Sequence, residues 1–401
     1  MYVGRKKKIM ERGRDIFMER GVRRQDAVLT SFVKAEKVKP ASAPRVINPR
    51  NVVYNVALGV YIKPIEHIIY RKIQKLYGSV TPVVFKGLNV DDMGLAMLEK
   101  WRSFNDPVAV GLDAMKFDMH VSAAMLAWEH SIYKRVYPGS RDLQKLLRWQ
   151  IKNVGRGYCF DGTLKYHILG RRCSGDMNTA LGNCIIMTGM IYSWVRLKQI
   201  KIELANNGDD AVVILERKDV GKLLSGIENY FLTLGFRITV EPAVDVFEQI
   251  EFCQMHPVVM PTVCRMVRNF TTSREKDTIA LLDIGKPLAY AKWMGAVGEG
   301  GLALCSGIPV LQSFYHAYAR VGVASNIINA VQMQCGALFL RIGMQAKIEP
   351  VRSITRSSFY AAFGITPDEQ VSLEEYYDKI SLKFGGEAAI DNLLSIPPSP
   401  F

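Results

Sequence analysis

The sequence predicts an α+β fold, built as one continuous, interleaved globule, and three observations carry that expectation. Two hairpin patterns stand in its middle, "GRGYCFDGTLKYHILG" at 155–170 and "ELANNGDDAVVIL" at 203–215, each with polar turn residues between strand-like flanks. Helical periodicity surrounds them, over 122–136 and from about 179 to 195. From about 262 onward the chain reads as mostly helical, with glycine-rich breaks near 295–301. No internal repeat or long low-complexity linker divides the 401 residues, which suffice for a sizeable core.

Taken in order, residues 1–30 read as a heavily basic helix. "VKPASAPRVINPR" follows as an extended stretch, because Pro40, Pro44 and Pro49 stand too close together for a helix. Residues 51–105 mix helical pieces with turns. "PVAVGLD", 107–113, is an apolar run ending in a carboxylate, the pattern of a buried strand that delivers a side chain to a site edge. Ser122 is placed to cap the helix over 122–136. The 155–170 hairpin turns near Asp161-Gly162, and a Ser-Gly loop then leads into the apolar helix from Thr179. After the second hairpin come a helix over about 217–234, the strand "GFRITVE", and a short strand pair in "IEFCQMHPVVM".

Charge points to a polyanionic partner. The net charge is +14, and residues 1–50 alone hold 14 Lys and Arg against 5 Asp and Glu. Such a bias suits nucleic acid or an acidic membrane surface. For Arg5 to Lys8 the scarcity of interleaved large apolar residues favours RNA or simple solvation over lipid. Seven cysteines without a C-x-x-C pair, and six scattered histidines, argue against a disulfide framework or structural zinc and fit a reducing compartment. No uninterrupted apolar run approaches the roughly 20 residues that span a bilayer, so the sequence predicts no transmembrane segment of its own.

The chemistry concentrates in carboxylates. A lone Gly-Asp-Asp, here Gly208, Asp209 and Asp210, is weak, since a tight turn with a solvated aspartate pair explains it as well. A second strand-end carboxylate, Asp113, with Asp118 five residues later, raises its meaning. Magnesium takes hard oxygen ligands, one or two carboxylates together with substrate phosphates. Two such ions clamp the attacking and leaving oxygens of an in-line displacement. Asp113 and Asp209, supported by Asp210, would offset their mutual repulsion by holding them.

Between these lies "CSGDMNTALGNC", with Ser174, Gly175, Thr179 and Asn183. Thr179 and Asn183 share a helix face, and Ser174 sits in the turn before it. By itself this reads as a capped, buried helix. With Asp118 it forms a polar set suited to recognising a 2′-hydroxyl, which both donates and accepts. The proline-stiffened strip brings Lys34, Lys37, Lys39, Arg45 and Arg50, cations that can run beside a triphosphate or merely track RNA backbone.

With these motifs in this order, the chain resembles viral RNA-dependent RNA polymerases of positive-strand RNA viruses, most closely the tombusvirus and carmovirus group (Tombusviridae). "KPIEHIIY", "LLRWQIKNVGRG", "SGDMNTALGN", "LANNGDD", "IEFCQMHPV" and "SGIPVLQSFY" carry the likeness, which extends from about Phe32 to Tyr376. The resemblance implies a right-hand polymerase fold. Its fingers would be 1–105, including the basic strip, with an insertion at 139–173; its palm 106–138 and 174–260; its mostly helical thumb 261–401. It also implies catalytic and metal-binding roles for Asp113, Asp209 and Asp210. Asp118, Ser174, Gly175, Thr179 and Asn183 would bind nucleotide and select ribose, and Lys34 and Arg45 would contact NTP phosphates. Lys37, Lys39 and Arg50 would contact RNA, and "EFCQ", with Cys253 and Gln254, would be the strand steadying the growing 3′ end. Arg237, a poor proton donor because of its high pKa, and Lys222 leave the general acid for pyrophosphate unassigned.

The expected activity is template-directed RNA synthesis, an RNA-directed RNA polymerase serving viral genome replication and transcription, with Mg2+, or Mn2+ in its place. The expected partners are template and product RNA, NTPs, a membrane-bound viral replicase protein and host factors. The expected location is the host cytoplasm, at membrane-associated replication sites reached through another protein or an N-terminal portion absent from this chain. A non-catalytic RNA-binding replicase subunit or a reverse transcriptase are the rival readings. The first gives no reason for Asp113, Asp118 and Asp209 together, and the second typically has an aromatic residue where this chain has Asp118.

Overall fold

The structure, a computed structural model, describes residues 4–37 and 42–385, the side chains of Arg5 and Cys159 excepted. The basic N-terminal helix α1 (Gly4–Arg20) is shorter than expected, and strands β1 (Leu29–Val33) and β2 (Val46–Ile47) follow it. Helix α2 (Val52–Tyr77) starts at Asn51, whose side chain accepts from Val53 N, and ends at Gly78 in the left-handed conformation. It is long and apolar enough, by length and composition, to cross a membrane. Lys63, Pro64 and Glu66 interrupt its apolar run without breaking the helix. Val53, Tyr54, Ala57, Leu58 and Ile62 bury one face of it in the protein.

Helix α3 (Val90–Arg102), capped by Asn89, precedes β3 (Pro107–Ala114), in which Asp113 is exposed, Pro107 and Gly111 are half-buried and the rest are buried. A single turn α4 (Phe117–His120) leads to α5 (Ala123–Val136), and Ser122 caps it as expected by accepting from Met125 N. Helix α6 (Arg141–Ile151) passes directly into hairpin β4 (Lys152–Cys159) and β5 (Gly162–Leu169), joined through Phe160-Asp161. Helix α7 (Thr179–Lys198) is apolar nearly all round and buried accordingly. Hairpin β6 (Ile202–Asn206) and β7 (Asp210–Glu216) is the one read from "ELANNGDDAVVIL".

The helix expected over 217–234 is two short ones, α8 (Val220–Leu224) and α9 (Ile227–Thr233), because Ser225 and Gly226 leave the helical conformation between them, Gly226 at φ +90. Strand β8 (Ile238–Val240) is followed by hairpin β9 (Met255–Val259) and β10 (Cys264–Arg268). Helices α10 (Phe270–Asp277), α11 (Pro287–Cys305), α12 (Leu311–Val321), α13 (Ile328–Gln334), α14 (Ala337–Leu340), α15 (Ser353–Phe363) and α16 (Pro367–Lys379) complete the described chain. The glycines near 295–301 do not break it, contrary to expectation. They lie inside α11, where a Cβ on Gly298 would stand 2.6 Å from Ala319 N and one on Gly301 2.0 Å from the Tyr315 ring. Helix α12 packs too close for any side chain there.

The chain forms two compact units. One comprises Met1–Lys34, Val38–Val84 and Leu112–Glu241. It holds two four-stranded sheets, ordered β2-β1-β4-β5 and β6-β7-β3-β8, the last residues of β3 belonging here. The other comprises Ala35–Lys37, Phe85–Gly111 and Pro242–Phe401. Its core gathers Trp293, Val297, Phe314, Tyr318, Phe359 and Tyr377 around α11 and α12. In α3 of the same unit, Asp91 pairs with Arg265 of β10 at 2.5 Å.

Candidate active site

The β6–β7 turn is braced from within. Asn206 is fully buried, its Oδ1 accepts from Gly208 N at 3.2 Å, and its Nδ2 donates to the carbonyls of Gly208 and Asp210. Gly208 supplies φ +98, which a larger residue would resist. The braced turn holds Asp209 in the open and Asp210 half-buried at the start of β7.

Strand β7 neighbours β3, whose Asp113 pairs in register with Thr239 of β8 and is exposed. Asp113 and Asp209 spend their oxygens on no hydrogen bond or ion pair among the described residues. Five residues beyond Asp113, the Asp118 carboxyl is pushed up. Burial is the main cause, Asp209 adds to it, and the amide of Asn183 and the guanidinium of Arg172 oppose it. Asp118 follows the C-terminal end of β3, and Asp209 sits in the turn that opens β7 of the same sheet.

Asp118 Oδ1 accepts from Asn183 Nδ2 at 2.9 Å, so Asn183 faces this segment, whereas Thr179 Oγ1 donates to the carbonyl of Cys173 at 3.0 Å, in the loop before α7. The approach of α7 is set by backbone bonds from Arg171 N to Val121 O and from Arg172 N to Asp118 O. Ser174 is half-buried and Gly175 exposed in the turn before the helix, with Gly175 against Pro49, 2.9 Å from where its Cβ would be.

Below this surface lies a buried polar network that sequence reading missed. Arg172 Nε donates to Asn183 Oδ1 at 3.0 Å, and its Nη2 pairs with Glu129 Oε2. Glu129 also accepts from Asn178 Nδ2 at 2.8 Å and from the Tyr133 hydroxyl at 2.7 Å. Gln150 Nε2 donates to Asn178 Oδ1 and to Asp176 Oδ2, and Asp176 pairs with Arg50 Nε at 2.6 Å. Burial by itself would raise the Glu129 carboxyl, but Arg172 and the hydrogen bonds from Arg172 and Tyr133 outweigh it and hold it below the usual carboxylate range. One signal was available: Glu129 stands among Leu126, His130 and Tyr133 at core spacing on α5, and a charge there demands a partner.

Arg50 is a correction. Expected to touch RNA, it is buried, and its guanidinium is committed to Asp176, the Ala27 carbonyl at 2.6 Å and Asn153 Oδ1 at 2.6 Å. Cys253 and Gln254 are another. Both have positive φ, and Phe252 bridges to Met255, so "EFCQ" ends in a tight turn ahead of β9 and is not a strand. Gln254 Oε1 accepts from Lys276 Nζ at 2.5 Å. Lys37 is half-buried, its Nζ without a hydrogen-bond partner among the described residues, and Lys39 lies outside them.

Lys34 and Arg45 stand opposite one another where the β1–β2 ladder continues, Lys34 N donating to Arg45 O at 2.9 Å. The registers Phe32↔Ile47, Thr30↔Arg156, Arg156↔Lys165 and Tyr158↔Thr163 align their side chains with Phe32, Arg156, Tyr158, Lys165 and His167 on one face of sheet β2-β1-β4-β5. That face is exposed, Tyr158 at 65% and Phe32 at 52%, and holds no acidic residue.

The family described as viral RNA dependent RNA polymerase matches residues 1–385. The chain belongs to that family. Among its relatives, the RNA-directed RNA polymerase of Tobacco necrosis virus (strain A) is 43% identical over 95% of this chain and 53% of its own length. That of Maize chlorotic mottle virus is 42% identical over 94% of this chain and 39% of its own length, and that of Melon necrotic spot virus 41% over 96% and 49%. The chain thus spans about half the length, or less, of these polymerases. The resemblance read from "SGDMNTALGN" and "LANNGDD" is borne out, and so is the α+β class.

Polymerases of this family imply a divalent cation. Among the described residues no three His, Cys, Asp or Glu groups converge to hold one alone. Asp113 and Asp209 nevertheless fit magnesium, which needs only one or two carboxylates when substrate phosphates and waters complete its shell. They are hard oxygen donors, open to solvent and unspent on protein donors.

Proposed function

We propose that the chain carries out template-directed RNA synthesis, joining NTPs to an RNA 3′-hydroxyl during viral genome replication and transcription. What supports this reading is that two carboxylates uncommitted among the described residues, Asp113 in β3 and Asp209 in the β6–β7 turn, belong to one sheet, with the Asp118–Asn183 bond five residues beyond Asp113. Asp113 and Asp209, with Asp210 supporting, would hold magnesium or manganese, which when bound activates the attacking hydroxyl and neutralises charge on the phosphates. Asp118, Ser174, Thr179 and Asn183 orient the ribose by accepting from and donating to its hydroxyls. Lys34 and Arg45 neutralise the triphosphate, and the cationic, aromatic sheet face around Arg156 and Tyr158 takes single-stranded RNA by backbone charge and base stacking.

In this reading residues 1–105 and 139–173 are fingers, 106–138 and 174–260 palm, and 261–401 thumb. The protein works in the host cytoplasm at membrane-associated replication sites, brought there by a viral replicase protein and host factors. Asp209→Asn should abolish incorporation of labelled NTP in primer extension while RNA binding stays nearly intact. Full incorporation by that variant would refute the assignment of the carboxylates.

A further inference from the structure

We propose that the buried Arg172–Glu129 ion pair is the positioning device for ribose selection, acting by fixing which end of the Asn183 amide faces Asp118. The inference rests on the polymerase reading and deepens it.

An asparagine amide carries an acceptor on one side and donors on the other. Arginine can only donate, so Arg172 Nε, 3.0 Å from Asn183, requires the amide oxygen on its side. The NH2 group is thereby turned to Asp118 Oδ1, at 2.9 Å. Asp118 Oδ2 makes no hydrogen bond among the described residues and is left to accept from a substrate hydroxyl. Without Arg172 the amide could turn over, and its oxygen would then face a carboxylate and repel it.

Arg172 itself cannot drift. Its side chain is 1% exposed and that of Glu129 is 0%, and Glu129 is held from its other side by Asn178 and Tyr133. Asn178 directly precedes Thr179, so the same carboxylate that locks the guanidinium also anchors the start of α7. Helix α7 leaves room for the pair at Gly182, where a Cβ would lie 2.3 Å from Arg172 Nη2 and 2.5 Å from Glu129 Oε1. A buried pair is weak support for stability, and its effect here lies in what it orients.

The test compares CTP with 2′-deoxy-CTP in Mg2+-dependent primer extension by wild type, Arg172→Lys and the double variant Glu129→Gln, Arg172→Met. The double variant removes both charges and leaves no lone ion buried, so it stays folded where the single variant fails. Thermal melting checks both. The ribose preference, the ratio of kcat/KM values, should fall about tenfold in the double variant, the worth of one lost hydrogen bond, and less in Arg172→Lys, whose ammonium also only donates. The loss should appear mainly in KM for CTP, with 2′-deoxy-CTP scarcely changed. Equal losses on both nucleotides, meaning a merely structural role, or an unchanged ratio in a folded variant, would overturn the proposal. Binding of the two nucleotides in Ca2+ by calorimetry gives the same ratio without turnover. A wild type that neither incorporates CTP nor prefers it in binding would overturn the polymerase reading, and the positioning role with it.

Discussion

Single residues in this protein derive their roles from what they are paired with. Asn206 shapes the aspartate turn without touching solvent, and Arg50 is drawn inward by Asp176. His130 shows the cost of such pairing. It is 1% exposed, its Nε2 bonds Gln150 Oε1 at 3.1 Å, and its Nδ1 has no partner among the described residues. Burial, the largest cause, pushes its pKa down to about 4 from the ordinary 6.5, Arg172 adding to the shift and Glu129 opposing it. The unfolded chain therefore takes up the proton first as pH falls. The stability from neutral His130 is complete above about pH 6.5 and is lost progressively toward pH 4, about 2 kcal/mol of it by pH 5. In urea unfolding, His130→Gln should narrow the stability gap between pH 7.5 and pH 5. A gap as wide as that of wild type would show that other groups cause the acid sensitivity.

At the scale of elements, close packing decides what a local pattern means. Gly295, Gly298 and Gly301 look like breaks in a sequence, yet in α11 they are the surface on which α12 and the chain after it lie. Gly298→Ala forces a Cβ against the Ala319 backbone at 2.6 Å, which cannot move aside as a flexible side chain would. It should cost about 1–3 kcal/mol in denaturant unfolding. Gly221, inside α8 with nothing within 4 Å of a Cβ, is the control. Gly221→Ala should raise stability by roughly 0.5–1 kcal/mol. Equal effects from the two substitutions would contradict the packing argument.

Over the whole molecule the +14 net charge becomes function only through its arrangement. Some of it is consumed internally, as Arg50 and Arg172 show, while Arg156 and Lys165 remain exposed beside Tyr158 on an acid-free sheet face. Affinity for single-stranded RNA should fall steeply with salt. Arg156→Gln with Lys165→Gln should flatten the slope of log K against log [salt] by about 0.7 for each phosphate no longer neutralised. Tyr158→Ala should weaken binding by about 1–3 kcal/mol with the slope unchanged. An unchanged slope in the double variant would remove this face from the RNA-binding surface.

The sequence by itself determined the family, the two hairpins, the Ser122 cap, the place of Asp113 near the end of β3 and that of Asp209 in the β6–β7 turn. Each of these is written in residues near one another, in turn chemistry, periodicity or motif order. Only the tertiary structure decided which charges are inside. Glu129, Gln150, Arg172 and Asp176 meet across separate helices and loops, and Arg50 joins them through Asp176, 126 positions away. Burial and pairing arise between segments, so a local pattern of cations looks the same whether it faces RNA or a carboxylate in the core.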